Sequence, residues 1–170
     1  GKVSKKSALI FGIILSVIGL YGSIIFLPFI STICIVVGFV VYVVLYTMWL
    51  KRRYIFGIHV GAVSGALPPV IGFTSAYEGM EIPAVLLFMI LMLWQMPHSF
   101  AIGCFRYEDY KKAKIKTMLS AKGESYTKYT SLLYILLFSI TSLFMFITLQ
   151  MSIVCVLLMF IACALWIYEA

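Results

Sequence analysis

Apolar residues in this chain fall in long uninterrupted runs, not in an alternating pattern. Six runs extend over about Ala8 to Leu27, Phe29 to Leu50, Ile55 to Tyr77, Ile82 to Phe105, Tyr129 to Leu149 and Met151 to Tyr168. Each approaches the roughly 20 residues that a helix needs to cross a hydrocarbon core. Barrel strands would instead alternate over about ten residues. The pattern predicts an all-α protein, a polytopic transmembrane helix bundle with about six spans that forms one domain over residues 1–170.

The breaks between runs refine this picture. Leu27 and Pro28 separate the first two runs, and Gln150 is nearly the sole marker between the last two, so both pairs read as tight helical hairpins. In the third run Gly57, Gly61 and Gly65 recur every four residues, share one helix face and allow a neighbouring backbone to approach. Pro68 and Pro69 follow and remove two backbone donors, so a kink or an unwound turn is expected there.

Composition agrees with a membrane solvent. The chain is 64% hydrophobic and 11% charged, with a mean hydropathy of +1.10, which excludes an ordinary soluble domain. Cys34, Cys104, Cys155 and Cys163 lie in or at the end of apolar runs without metal-ligand spacing, so neither a disulfide framework nor a zinc site is expected. Charge then orients the bundle. All thirteen Lys and Arg precede the first run, follow the second or follow the fourth, which an alternating threading places on one side. The opposite loops carry Glu78 and Glu81 and no base. The positive-inside rule makes the basic side cytoplasmic and puts both ends of the chain there. The chain opens on Gly1 with no signal peptide before the first run, so a longer parent protein is expected.

The candidate chemistry lies on the basic side. Lys51, Arg52 and Arg53 read either as a lipid-anchoring stop-transfer signal or as a clamp for phosphate, with planar Arg forks and a mobile Lys charge. After the fourth run come Arg106, Glu108, Asp109 and Tyr110, then a long basic loop reaching Lys128. Acids directly after a span do nothing for topology. One of them is a candidate Mg²⁺ ligand, since that ion takes one or two protein carboxylates and finds its other oxygens on water and phosphate; the competing reading is a solvated acid among lysines. Being adjacent, Glu108 and Asp109 point in different directions on a helix and do not form a two-carboxylate cage. His98, about two turns before the end of the fourth run and just after Pro97, is ionisable at membrane depth. A haem ligand, a base, a substrate-orienting donor and a packing histidine all remain open for it. His59 has no surrounding motif and reads as packing.

The order of motifs is more specific than any one of them. LKRR at Leu50 to Arg53, GAVSGALPPVIG at Gly61 to Gly72, LWQMPHSFAI at Leu93 to Ile102 and FRYEDYKKA at Phe105 to Ala113 closely resemble the protohaem IX farnesyltransferase branch of the UbiA-type intramembrane prenyltransferases. That resemblance implies a nine-helix bundle around a central cavity, of which this chain looks like the third to the eighth helices. It implies transfer of a farnesyl group from farnesyl diphosphate to a vinyl group of protohaem IX (haem b), giving haem O. It further implies Mg²⁺ held with the diphosphate, a lipid environment in a bacterial inner membrane, and haem A synthase or oxidase assembly partners; no nucleic acid is expected. Carried over to this sequence, Asp109 is the metal ligand, with His98 at the haem. Lys51, Arg52, Arg53, Arg106, Tyr110 and Lys122 are the diphosphate-side residues. The family's other metal motif, an Asn/Asp-rich loop before the third helix, has no counterpart here, as Gly1 to Ser7 contains no acid. This fragment alone is therefore expected to be inactive. Tyr54 and Gly57 also replace residues the family often has as Thr and Asn, and the stretch from Lys114 to Ser120 lacks the prolines the family favours. Two other readings stay open: a UbiA-type enzyme acting on a quinone precursor or other aromatic acceptor, and a non-catalytic membrane scaffold.

Overall fold

The computed structural model describes residues 3–51, 53–77 and 79–169. Arg52 lies outside the described residues, as does Glu78. The described chain is helical throughout, in the order α1 Lys5–Phe26, α2 Phe29–Val40 continued by a π-helical segment Val41–Leu50, α3 Gly57–Tyr77, α4 Ile82–Phe105, α5 Tyr107–Lys112, α6 Met118–Lys122, α7 Glu124–Thr148 and α8 Ile153–Glu169. Five helices are long and apolar enough to cross a membrane: α1, α2 with its π-helical extension, α3, α4 and α7. The sixth expected span, α8, is 17 residues long and apolar.

Each boundary has a local cause. Ser4 caps α1 by accepting the Ser7 N–H at 3.0 Å. Leu27 is extended, as a residue before proline must be, and ends α1. Between α7 and α8, Gln150 takes a left-handed φ of 50°; the N–H groups of Gln150 and Met151 turn back to the carbonyls of Ile147 and Phe146, a Schellman closure. Gly123 joins α6 to α7 at φ 83° and ψ 173°, a region open essentially to glycine alone. Gly123→Ala is expected to destabilise the protein by about 1–3 kcal/mol, read as a lower midpoint in detergent unfolding.

Consecutive helices pack side by side, and α4 lies between α3 and α7. One apolar cluster joins Cys34 of α2, Leu67 and Val70 of α3 and Ala84 of α4. The other joins Ala62 of α3 to Met96 and Phe100 of α4, with Ile58, Met118 and Tyr134 against them. With no hydrophobic force between helices in lipid, polar contacts and small residues fix their pairing. Ser31 of α2 meets Thr74 of α3 at 2.7 Å, and the Ser75 hydroxyl donates to Ser31 at 3.1 Å.

Three expectations change. The double proline does not unwind the third span, because α3 runs unbroken through Pro68 and Pro69. The missing donors free the carbonyls of Ser64 and Gly65, both of which line a cavity, so the broken bonds fall where polar groups are tolerated. The long basic loop is instead two short helices, the second closed by reciprocal hydrogen bonds between Thr117 and Ser120. Finally, α7 begins at Glu124, ahead of the apolar run, so Lys128 belongs to the helix. An acid at the positive end of a helix dipole is favourable, and the first turn rises out of the apolar zone.

Candidate active site

The site begins with an irregularity in the second span. From Val41 to Leu50 the backbone is wound as a π-helix, and at its end the Lys51 N–H bonds to the Tyr46 carbonyl at 2.9 Å, an i→i+5 closure. On an α-helix, residues five apart are about 140° out of register. The wider turn brings Lys51 over Tyr46, its Nζ 5.6 Å from the ring centroid, and the Tyr46 ring in turn lies 5.7 Å from that of Tyr42. Tyr42, Tyr46 and Lys51 thereby line the same cavity.

That cavity, about 470 Å³, lies among α2, α3 and α4 and is also lined by Ser64, Gly65, Gln95 and Ser99. The glycine stripe makes room for it. A Cβ on Gly61 would stand 3.1 Å from the Tyr46 ring, and one on Gly57 3.1 Å from the Leu50 carbonyl group. A Cβ on Gly65 would collide with the Gln95 amide, which donates to the Ala62 carbonyl at 3.4 Å and to that of Leu91 at 3.0 Å. A second cavity of about 150 Å³ shares Tyr46, Lys51, Ile58 and Ser99 with the first and lies under α5 and α6. Its polar lining is Lys51, Lys116, Tyr46, Tyr54, Tyr110, Ser99 and Thr117. Cations and hydroxyls, with no carboxylate among the described lining residues, make this mouth suited to an anion, and the two cavities adjoin at Tyr46, Lys51, Ile58 and Ser99. Thr117, just ahead of α6, packs over Gly103 at ordinary contact distance, a Cβ there lying 3.5 Å from the threonine side chain.

The structure brings together only some of the residues singled out in the sequence. Lys51 and Tyr110 face the same mouth. Arg106 and Asp109 pair with each other at 3.9 Å on the exposed side of α5 and line neither joined cavity. Asp109 therefore offers a single accessible carboxylate. No group of three metal-ligating side chains converges among the described residues. One carboxylate fits a cation whose other ligands are substrate oxygens and water, and does not build a self-sufficient metal site. Arg53 is exposed beside the mouth-lining Tyr54. Lys122 lines a separate cavity between α3 and α7.

His98 also stands apart. It is two residues beyond the buried Met96, about 200° round α4, and exposed with its ring stacked on Trp94 at 4.8 Å and 12°. Its neighbour Pro97 is buried against a cavity of about 400 Å³ among α4, α7 and α8. His59, read from the sequence as packing, is half-buried, and its Nε2 lies 3.0 Å from the Tyr134 hydroxyl. Sequence reasoning missed Tyr42, Tyr46, Gln95, Ser99, Lys116 and Thr117. Gln95 and Ser99 carried a signal, a pair of polar residues one turn apart in an apolar span; Tyr42, Tyr46 and Lys51 did not, because α-helical spacing separates them.

Comparison with known proteins accords with this geometry. The UbiA prenyltransferase family matches over residues 1–170. "Protoheme IX farnesyltransferase 2" of Shewanella woodyi is 41% identical over 142 residues, covering 84% of this chain and 49% of that protein. "Protoheme IX farnesyltransferase 2" of Pseudomonas putida is 41% identical over 143 residues, 84% of this chain and 48% of that protein. "Protoheme IX farnesyltransferase 1" of Shewanella frigidimarina is 39% identical over 142 residues, 84% and 47%. The chain spans about half the length of the curated relatives it matches. No solved structure matches it. With apolar helices, an anion-suited mouth opening into the bundle and a family match along the whole chain, this chain belongs to the UbiA prenyltransferase family.

Proposed function

We propose that the protein of which this chain forms part of the prenyltransferase domain transfers the farnesyl group of farnesyl diphosphate to a vinyl group of protohaem IX, giving haem O. The observation that carries the reading is the mouth of Lys51, Lys116, Tyr54 and Tyr110, with no carboxylate among its described lining residues, beside a cavity among α2, α3 and α4 with which it shares Tyr46, Lys51, Ile58 and Ser99. The names of relatives about 40% identical support the choice of acceptor.

In this reading the diphosphate sits at the mouth and the chain of the substrate points into the bundle. The C1–O bond breaks and its electron pair leaves with the diphosphate. The vinyl π electrons form the new bond to C1, water adds to the resulting cation on the haem side, and a proton departs. The protein's part is electrostatic. Lys51 and Lys116 offset the growing charge of the leaving group, and the hydroxyls of Tyr54 and Tyr110 orient it. The exposed Arg53 and Arg106, with Arg52 beside Arg53 in sequence, would attract the diphosphate. Mg²⁺, when bound with the substrate, would neutralise part of the diphosphate charge, with Asp109 supplying one oxygen. The exposed Trp94–His98 stack offers a flat aromatic face, the shape a porphyrin plane requires, and His98 is the residue proposed to meet the haem.

Assaying Asp109→Ala and His98→Ala in the full-length protein, with farnesyl diphosphate and haem b supplied together, tests these assignments. About 10²-fold losses are expected, since Asp109 is proposed to supply an oxygen to Mg²⁺ bound with the substrate and His98 to position the haem. Undiminished haem O in either variant removes that residue from the site. A panel that includes quinone precursors tests the acceptor; turnover of those and not of haem b would reassign the enzyme within the family.

The basic ends of the spans are proposed to face the cytoplasm of a bacterial inner membrane, with both ends of the chain there. A cysteine introduced at Ser120 should then react with an impermeant maleimide only after the membrane is opened, and one at Gly79 from outside in intact spheroplasts. The reverse pattern would invert the topology.

A further inference from the structure

The cavity that holds Lys122 has a composition of its own. It occupies about 380 Å³ between the start of α3 and the first half of α7. Its polar groups are Lys122, Tyr126, Thr130, Tyr134 and His59, with no carboxylate among the lining residues. Lys122 ends α6, Tyr126, Thr130 and Tyr134 follow one another along α7, and His59 faces them from α3. Lys122 and Tyr126 stand at the basic boundary, the Lys122 Nζ 5.8 Å from the Tyr126 ring centroid, while Leu133 and Leu137 line the deeper end. From Tyr126 to Leu137 the helix advances about 16 Å, close to the depth of one leaflet of a hydrocarbon core about 30 Å thick.

The histidine sharpens the chemistry. His59 Nδ1 is buried and has no hydrogen-bond partner among the described residues. A proton on Nδ1 would therefore be an unsatisfied buried N–H, whereas a proton on Nε2 has the Tyr134 oxygen 3.0 Å away. With Nε2–H donating, the Tyr134 oxygen is the acceptor of that bond and its own O–H remains free to donate into the cavity. Lys122 and Tyr134 then form a donor pair one above the other, cation at the boundary and hydroxyl below. The rim stays open: Phe56 is 74% exposed and Leu133 56%.

We infer that this groove binds one anionic phospholipid, its phosphate held by Lys122 and Tyr126 at the membrane surface, a glycerol or ester oxygen taken by the Tyr134 hydroxyl, and an acyl chain laid along Leu133 and Leu137. The groove adjoins the cavity under α5 and α6 at Ile55 and Met118, but its polar groups are its own, and lipid binding there does not rest on the reaction proposed above.

The test uses the full-length protein in nanodiscs of phosphatidylcholine containing phosphatidylglycerol, with retained lipids counted by native mass spectrometry after mild detergent transfer. Lys122→Gln is expected to lower retained phosphatidylglycerol about fivefold, and Tyr134→Phe about fivefold, through loss of one donor. Phosphatidylcholine retention should not change, and Lys122→Arg should restore the anionic lipid. Equal losses of both lipids, or full retention of phosphatidylglycerol in Lys122→Gln, would overturn the site. So would displacement of phosphatidylglycerol by farnesyl diphosphate that Lys122→Gln abolishes, which would make the groove a dock for the isoprenoid diphosphate instead. Lys122 is exposed and Tyr134 half-buried, and Phe preserves the ring packing of Tyr134 on Phe100 at 6.1 Å.

Discussion

Lys51→Met in the full-length protein is expected to lower kcat/KM for farnesyl transfer by about 10²–10³-fold, the range seen when one preorganised group facing developing charge is removed. The side chain is placed by three independent features. The π-helical turn carries it to the Tyr46 side of the span, the Tyr46 ring holds its ammonium at 5.6 Å, and the shared lining of the two cavities sets it where mouth and interior meet. Methionine keeps the length and apolar stem and deletes the charge, so folding should persist. The Lys51→Arg variant separates charge from placement. Guanidinium keeps the charge but is a wider planar fork, and partial recovery is expected. An unaltered kcat/KM in Lys51→Met would detach the mouth from the chemistry.

The second large effect is expected at Gly61. A Cβ there already meets the Tyr46 ring at 3.1 Å, so Gly61→Val must push the ring away from α3 or push α3 away from the π-helical segment. Overpacking of this kind costs about 1–3 kcal/mol, and it also moves the ring against which Lys51 rests. Gly61→Val should therefore lower both the unfolding midpoint and the rate of farnesyl transfer. Removing the ring as well, in Gly61→Val with Tyr46→Ala, relieves the clash and should recover stability without recovering activity, because the Lys51 ammonium has lost its platform. The two sites are in contact, so their effects should be strongly non-additive. Independent, additive losses would show that the glycine serves helix pairing alone.

These two residues also show how far the sequence could be read. The glycine spacing announced a close approach on α3, and the approach exists, but which neighbour exploits it depends on the winding of α2 beyond Val40. Nothing in VYVVLYTMWL distinguishes a π-helix from an α-helix, since both satisfy the backbone in lipid and both present apolar residues on every side. The same limit applies to the histidines. His98 has a motif around it and points outward onto Trp94; His59 has none and meets Tyr134 from another helix. Intramembrane ionisable residues are good markers of function, but the face they occupy is set by which helices flank their own.

By itself, the sequence determined the class of protein, the membrane spans to within a few residues, the side that collects positive charge and, through its ordered motifs, the family. Those properties follow from local free energies: each long apolar run must satisfy its own backbone in lipid, and each cation stays at a boundary. Tertiary structure alone decided that Lys51 and Tyr110 share a mouth, that Asp109, paired locally with Arg106, lines neither of the two cavities there, and that Lys122 belongs to a different cavity. The reason is geometric. Residues far apart in the chain meet according to helix winding and packing, and a lipid-embedded helix carries no solvent-facing polar stripe that would reveal its orientation in advance.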